Sequence, residues 1–544
     1  MRSFAVIVFL VAVLLITLSQ ARRDLWAPDE PRHAEVARTM VVSSEWLVPK
    51  LNGEIYPDKP PPPFWLMGGF MKLFGTHEWA ARVPTVIAAA SILALTVIIA
   101  DLLAIPSAAL LAVLILASSF RSWWLFQRVS LDVLMTAFVC VSIVGWLRHW
   151  RGRGSAAVNG VLFLGGMAAG VSMKGPLAIV VALAAAVGHG LSMGMARKLV
   201  ERRFLLPGLL AFAVIIAAWV VPLWLATDAA YHDELFFKQS AGRIASAWNH
   251  EAPFWYYLYD FPVEFMPWTP LLALGMFALI KFRPKATQSS WTLLFSWTVP
   301  TFLFLSVVQS KRGNYLLPLY PAFALLASLG LHELLALGGA WTRRVRVVAW
   351  IGLSFLGLAT LAVAASAFIP AVKDQGINVP IGAALVALFV GAVFVLRGRV
   401  HLQEGRPDSA IREQGFGVVA VLVLAAVFVL PAVDAAKSGR VIAERLRDQL
   451  PSGSYVPMLG LRADEYCFYS NLAFREVESK DDFIAALRRA DVRYALADTK
   501  DLAKLRKKVA LPEGVVECTW ETTGSRRGVS VLEVNHRPAD GAGG

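Results

Sequence analysis

Ala27-Pro28-Asp29-Glu30-Pro31-Arg32-His33-Ala34-Glu35, and then Tyr56-Pro57-Asp58-Lys59-Pro60-Pro61-Pro62-Pro63-Phe64-Trp65, decide how this chain is read. The two segments lie in a polar stretch behind an apolar run, Phe4 to Leu18. The chain around them has 57% hydrophobic and 17% charged residues and a mean hydropathy of +0.57, which excludes a soluble globular protein of 544 residues. Acids and a lysine fixed by prolines at the mouth of a helix bundle can handle a proton or hold a phosphate, so this first loop is the expected reaction site.

Arg2 precedes the first run and Arg22-Arg23 follow it, with no small-residue cleavage pattern, so a retained helix is expected there. Further apolar runs lie near 83–103, 106–121, 131–148, 157–173, 175–195, 205–226, 262–281, 291–308, 315–333, 347–369, 380–396 and 416–433, giving about thirteen spans. Cationic clusters at Arg148/Arg151/Arg153, Arg197/Lys198/Arg202/Arg203, Lys281/Arg283/Lys285, Arg343/Arg344/Arg346 and Arg397/Arg399/Arg406 fall on alternate loops, which the positive-inside rule assigns to the cytoplasm. The first loop, 21–82, the 227–261 loop and the tail then face outward. Most of the net charge of +13 resides in these clusters and in the tail; it implies anionic membrane lipid as a neighbour and calls for no nucleic acid.

Residues 1–433 are read as the membrane domain and 434–544 as an exported α/β accessory domain. Within the tail, Val441–Leu450 and Asp481–Ala490 read as amphipathic helices, and Tyr494–Ala497 and Val529–Val534 as strands. Cys140 falls in a span. Cys467 and Cys518 fall in the tail, where an oxidising compartment would allow a disulfide.

Pro28 and Pro31 bracket Asp29 and Glu30, so a helix is expected from about Pro31 with Asp29 near its cap. Arg32 and Glu35 share a helix face and are spaced for an ion pair. The four prolines after Lys59 favour a polyproline strut presenting its ammonium to an anion. Asp132 enters a span, with Arg128 its nearest partner in sequence. Lys174, between two spans, reads as a turn marker. Arg243 in the 227–261 loop, and Lys311, Arg312 and Tyr315 at another outer helix end, converge basic groups on the acidic pair.

Together, the early acidic pair, the Lys-Pro-Pro, the aspartate entering the fourth span, the many spans and the exported tail resemble the GT-C glycosyltransferases. Within these the chain resembles the bacterial 4-amino-4-deoxy-L-arabinose lipid A transferase group, related to protein O-mannosyltransferases. Asp58-Lys59-Pro60 stands where that group has Glu-Lys-Pro, and Arg32-His33-Ala34-Glu35 where it has Arg-Tyr-Ala-Glu. The resemblance implies a polytopic α-helical GT-C enzyme of the bacterial inner membrane, with its active site and tail on the periplasmic face. The implied reaction is inverting transfer of a sugar, aminoarabinose or a related one, from undecaprenyl phosphate to lipid A or another glycolipid. It matches Asp29 to the catalytic aspartate, with Arg32 and Glu35 in the same motif, Asp132 to the second-motif acid, and Lys59 to the lysine on the donor phosphate, with Arg243 and Tyr315 as co-ligands. The residues themselves add Glu30 as a second catalytic acid, Arg32 as a phosphate ligand and Glu35, Arg128, Lys311 and Arg312 as supports, and a divalent metal at Asp58 stays open. Two other functions remain: O-glycosylation of a protein or other glycan, and lipid-linked sugar flipping.

Overall fold

The structure, a computed structural model, describes residues 23–236, 251–369, 377–518 and 528–535. The expected first span over Phe4–Leu18, and Arg243 with its neighbours Lys238, Asn249 and His250, lie outside the described residues.

Among the described residues, nine helices are long and apolar enough to cross a membrane, or up to eleven if each of two bent pairs is one span; the thirteen expected include the first run, which lies outside these residues. Two of the expected straight spans break. Pro106–Ser118 turns by 70° into Phe120–Phe126, and Tyr256–Glu264 turns by 115° into Thr269–Phe282. The breaks are joined to each other, because the Phe120 backbone donates to the Met266 carbonyl (3.2 Å) and the Trp268 indole to Ser118 Oγ (2.9 Å). The run expected over 175–195 is a helix of 16 residues, Leu177–Ser192, shorter than a bilayer ordinarily requires. The last apolar helix, Pro407–Asp434, contains a π-helical turn at Ala425–Val429, and its final segment runs on to Lys437.

Lipid is as apolar as leucine, so packing within the bundle relies on close approach of small residues and on hydrogen bonds. A Cβ on Gly160 would lie 1.9 Å from the Phe204 carbonyl oxygen, so glycine there brings Ala156–Met173 against Arg202–Ala226. Helix Leu131–Trp150 is the centre of the bundle, 83% buried over its most apolar window, whereas Arg202–Ala226 is 17% buried and presents Leu209, Leu210 and Val214 outward.

The same central helix orients the molecule. Asp132 marks one end and Arg148 and Arg151 the other. At the second end Arg153 pairs with Asp101 (3.2 Å), and the Lys198 ammonium donates to the Trp150 carbonyl (2.8 Å), so the basic loops gather there. The first-loop residues gather at the Asp132 end.

That first loop is more structured than its prolines suggested. It contains helix Asp29–Ser43, a hairpin of β1 (Lys50–Leu51) and β2 (Glu54–Ile55) turned at Asn52-Gly53, and helix Pro62–Phe74. Both turn residues have positive φ, 55° and 83°, the geometry that a two-residue hairpin asks of Asn-Gly. The proline run does not form a polyproline strut. Pro61 has helical angles (φ −66°, ψ −31°), and Pro62 and Pro63 occupy the first helical turn, where the missing N–H groups leave no bond unmade. Lys59 therefore sits in the turn just before a helix.

After the bundle, helix Arg440–Gln449 leads into a five-stranded sheet of order β4-β3-β5-β7-β6, with β3 Tyr455–Leu459, β4 Ala473–Glu476, β5 Tyr494–Asp498, β6 Val515–Glu517 and β7 Val529–Val534. β3 runs parallel to β4 and β5, and β7 is antiparallel to β5 and β6. The two expected strands and both expected helices are present, with Arg440–Gln449 and Lys480–Leu487 as the observed helix bounds. Cys467 and Cys518 are both free thiols, so the disulfide is not formed.

Candidate active site

Helix Asp29–Ser43 opens with two adjacent carboxylates that meet different environments. Glu30 is fully buried. It pairs with Arg23 (3.1 Å), Arg82 (3.0 Å) and Arg128 (3.4 Å) and accepts the backbone N–H groups of Trp26 and Val129 (3.1 Å each). Burial opposes its charge, but the three arginines outweigh that penalty and hold the carboxyl far below the usual range. The arginines in turn bind backbone: Arg82 donates to the carbonyls of Arg23 (2.6 Å) and Asp24 (2.7 Å), and Arg128 to that of Trp26 (2.8 Å). Glu30, expected as a second reactive acid, is thus placed as an anchor. It fastens the 23–30 segment to the span carrying Arg82 and to the loop before Asp132, and it does not line the cavity described next.

Asp29 does line that cavity, a space of about 670 Å³ at the Asp132 end of the bundle. Its walls carry seven cationic side chains, Arg32, Lys59, Arg121, Arg128, Lys174, Arg312 and Arg462, against four acidic ones, Asp29, Asp58, Asp132 and Glu234. Asp29 lies 4.0 Å from Arg312. Burial raises its pKa, but His33, Arg312, Arg32 and Lys174 together bring it below the ordinary 3.8. His33, one turn along the helix, is pushed by burial down to about 3 despite Asp29, with Lys59, Arg32 and Lys174 adding to the fall, so it is neutral at pH 7. Its Nδ1 is buried without a hydrogen-bond partner among the described residues.

The other expected residues divide. Lys59 reaches the wall from its turn, its ammonium donating to the Asp58 carbonyl (2.9 Å). Arg312 and Tyr315 arrive from the segment at the start of the Gly313–Leu337 helix. A Cβ on Gly313, between them, would lie 2.4 Å from the Arg121 guanidinium, so glycine lets that guanidinium come close without shifting. Asp132 is buried in the first turn of its helix, and its partner is Lys174, not Arg128. The Lys174 ammonium also lies 5.0 Å above the Tyr315 ring. Arg128 is instead drawn to Glu30 and lies 4.9 Å over Trp124. Arg32 and Glu35 do not pair with each other. Arg32 turns to Asp464 of the sheet domain (3.2 Å), while Glu35 takes Arg38 (2.7 Å). Lys311 lies off the cavity, donating to the Ala252 carbonyl (2.9 Å) and tying down a loop.

Asp58 is on the wall, but no group of three or more His, Cys, Asp or Glu that could hold a metal ion occurs among the described residues. Among the described residues, the donors beside Asp58 do not fit a divalent ion.

Three cavity cations escaped sequence reading. Lys174 carried a signal, a cation between two spans beside Gly-Pro, which reads equally as a turn. Arg121 reaches the cavity only because the second span breaks, and it is held there by Glu264 (2.6 Å) and Asn314 (2.9 Å). Arg462 comes from the sheet domain and had no local signal.

A polytopic bundle with a cation-lined cavity at one end, closed by a small sheet domain, is the GT-C type of membrane glycosyltransferase. Its fold superposes on the crystal structure of ArnT from Cupriavidus metallidurans bound to undecaprenyl phosphate with a TM-score of 0.75 at 20% identity, covering 97% of each chain. Residues 58–221 match the family described as dolichyl-phosphate-mannose-protein mannosyltransferase. An undecaprenyl phosphate-α-4-amino-4-deoxy-L-arabinose arabinosyl transferase of Aeromonas salmonicida is 30% identical over 74% of this chain and 72% of its own. One of the same name from Erwinia tasmaniensis is 29% identical over 66% of this chain, an alignment spanning 64% of the relative's length. The chain belongs to this arabinosyl transferase family of membrane glycosyltransferases.

Asp29 is half-exposed and lacks the buried partners of Glu30, so its substitution separates chemistry from folding. Asp29→Asn is expected to leave thermal stability within about 0.5 kcal/mol of wild type while transfer falls at least tenfold. The depressed pKa keeps Asp29 ionised at every pH above 3.8, so any acidic limb it causes in the pH–rate profile lies below that value. A limb near pH 6 that vanishes in Asp29→Asn would contradict this assignment.

Proposed function

We propose that this chain transfers a sugar, aminoarabinose or a close relative, from undecaprenyl phosphate to a lipid A-type glycolipid at the periplasmic face of the inner membrane, with inversion. The relatives, undecaprenyl phosphate-α-4-amino-4-deoxy-L-arabinose arabinosyl transferases, support the donor, and the gathering of the basic loops at the end opposite the cavity supports the orientation. The observation that carries the reading is an ionised Asp29 among the cavity cations, on the same wall as Lys59.

In the reaction the anomeric carbon–oxygen bond breaks with its electron pair moving to the phosphate oxygen. Charge grows there, so Lys59 and Arg312 stabilise the transition state more than the ground state. The acceptor oxygen bonds to the anomeric carbon from the opposite side as that carbon becomes oxocarbenium-like. A carboxylate held at low pKa is a weak general base but a good fixed negative charge. Asp29 therefore orients the sugar and steadies its positive charge. An acceptor phosphate, whose second pKa is about 6, is already largely anionic at pH 7 and needs no base. Arg312 and Arg32 beside Asp29 screen the repulsion that such an acceptor would otherwise meet. A serine, threonine or sugar hydroxyl would need a stronger base, which disfavours protein or glycan O-glycosylation.

Mass spectrometry of lipid A and of polyprenyl-phosphate sugars, from cells with and without the protein, tests the reading. A sugar-sized mass gained on lipid A only with the wild-type protein is expected. Modified protein or glycan in place of lipid A would overturn the acceptor, and lipid moved without any new glycosidic bond would indicate a flippase.

A further inference from the structure

The sheet domain, set apart in sequence as an accessory, supplies a side chain to the cavity. Arg462 follows β3 and stands on the cavity wall, while Asp464, two residues on, is only 2% exposed. The Asp464 carboxylate takes both nitrogens of an Arg462 fork (3.2 and 3.0 Å) and, through the same Oδ2, the Arg32 Nε (3.2 Å). One buried carboxylate thus clamps two guanidiniums, one from the first loop and one from the sheet domain. It can neutralise only one of them, so the pair carries a residual positive charge at the cavity. A bidentate partner also fixes the direction of the Arg462 fork, which lowers the ordering cost of a further anion contact.

The rest of the interface holds this arrangement in register. The Leu25 backbone donates to the Tyr469 hydroxyl (2.8 Å), Arg38 to Asn471 (2.9 Å), and Arg440 reaches Asp24 (3.2 Å) and Glu78 (2.9 Å). The sheet domain is therefore bolted to the loop that carries Asp29, and Arg462 is presented by a docked surface. Lys59 and Arg312 belong to the membrane domain, where a donor anchored by its lipid tail must bring its phosphate. Arg462 enters the same cavity from the sheet domain, which follows the last span in the chain.

We infer that Arg462, aimed by the Asp464 clamp, is a specificity-determining residue that binds an anionic phosphate group of the acceptor headgroup. The inference rests on the proposed transfer reaction and adds which domain selects the acceptor. Phosphate is the chemistry on both substrates, so the experiment separates donor from acceptor.

Full-length wild type, Arg462→Gln and Arg462→Lys are reconstituted in proteoliposomes with undecaprenyl phosphate-aminoarabinose as donor and bisphosphorylated lipid A as acceptor, and KM is measured for each substrate. Arg462→Gln leaves Asp464 paired with Arg32, so the domain interface remains satisfied. It is expected to raise KM for lipid A about tenfold, the loss of one charge-assisted hydrogen bond, with donor KM and melting temperature unchanged and partial recovery in Arg462→Lys. A raised donor KM with acceptor KM unmoved would overturn the inference in favour of the donor phosphate. Unmoved values for both substrates, or a melting temperature lowered in step with both, would overturn it as well. Wild type that makes no modified lipid A would remove the proposed reaction itself, before any variant is compared.

Discussion

Lys59→Ala is expected to lower kcat/KM for sugar transfer by about a hundred- to a thousandfold with normal expression and an unchanged melting temperature. Lys59 is half-buried in a turn at the mouth of the proline-led helix, and its ammonium donates to the backbone carbonyl of its neighbour Asp58. In the proposed transfer the leaving phosphate depends on it, because its charge grows as the glycosidic bond breaks and a fixed ammonium in a partly enclosed cavity meets that charge without reorganising. Lys59→Arg should recover only part of the loss, since a planar fork cannot replace a compact ammonium in the same turn. The assay is initial-rate transfer from a polyprenyl-phosphate sugar in proteoliposomes. Activity within threefold of wild type in Lys59→Ala would show that other cavity cations carry the phosphate.

The adjacent acid predicts the opposite phenotype. Glu30→Gln should destabilise the protein by about 3–5 kcal/mol, because it leaves Arg23, Arg82 and Arg128 crowded together without their shared counter-charge. Fluorescence-detected unfolding in detergent measures this, and a melting temperature equal to wild type would remove Glu30 from the anchoring role. The pH dependence has a definite sign. The folded-state pKa is depressed, so the stabilisation is complete above the ordinary 4.5 of a free glutamate and is lost progressively as the pH falls below it. In the proposed reaction, neighbouring carboxylates on one helix turn separate into a positioning charge for the substrate, Asp29, and a structural hub, Glu30, and the two variants should differ in which quantity collapses.

Nothing in the local sequence distinguishes those two acids. Both lie between prolines at a helix start, and the difference arises from Arg82, on helix Glu78–Leu102, and from Arg23 and Arg128, which reach Glu30 from segments before and well after it in the chain. The same holds for Arg32, whose periodicity favours Glu35 but whose observed partner, Asp464, is 432 residues away. Helical spacing permits a contact, and a competing buried carboxylate from another domain decides it. Asp132 gives a third case, since Arg128 is near in sequence but Glu30 claims it, leaving Lys174 to compensate the aspartate.

The sequence by itself determined that the chain is a helical membrane protein with a polar first loop and a separate α/β tail, because transfer of apolar segments into lipid and the period of the tail's helices and strands are properties of local composition. It also determined that Asp29, Lys59, Asp132, Arg312 and Tyr315 were worth attention, since polar groups at a membrane interface need a reason to be there. Tertiary structure alone decided that two spans break and deliver Arg121, that the prolines start a helix, that Glu30 is buried beneath arginines, and that the tail domain reaches the cavity with Arg462. These are outcomes of competition for partners among charges far apart in sequence. At low dielectric the pairing that wins is set by which groups the packing brings within about 4 Å, a distance that no local pattern encodes.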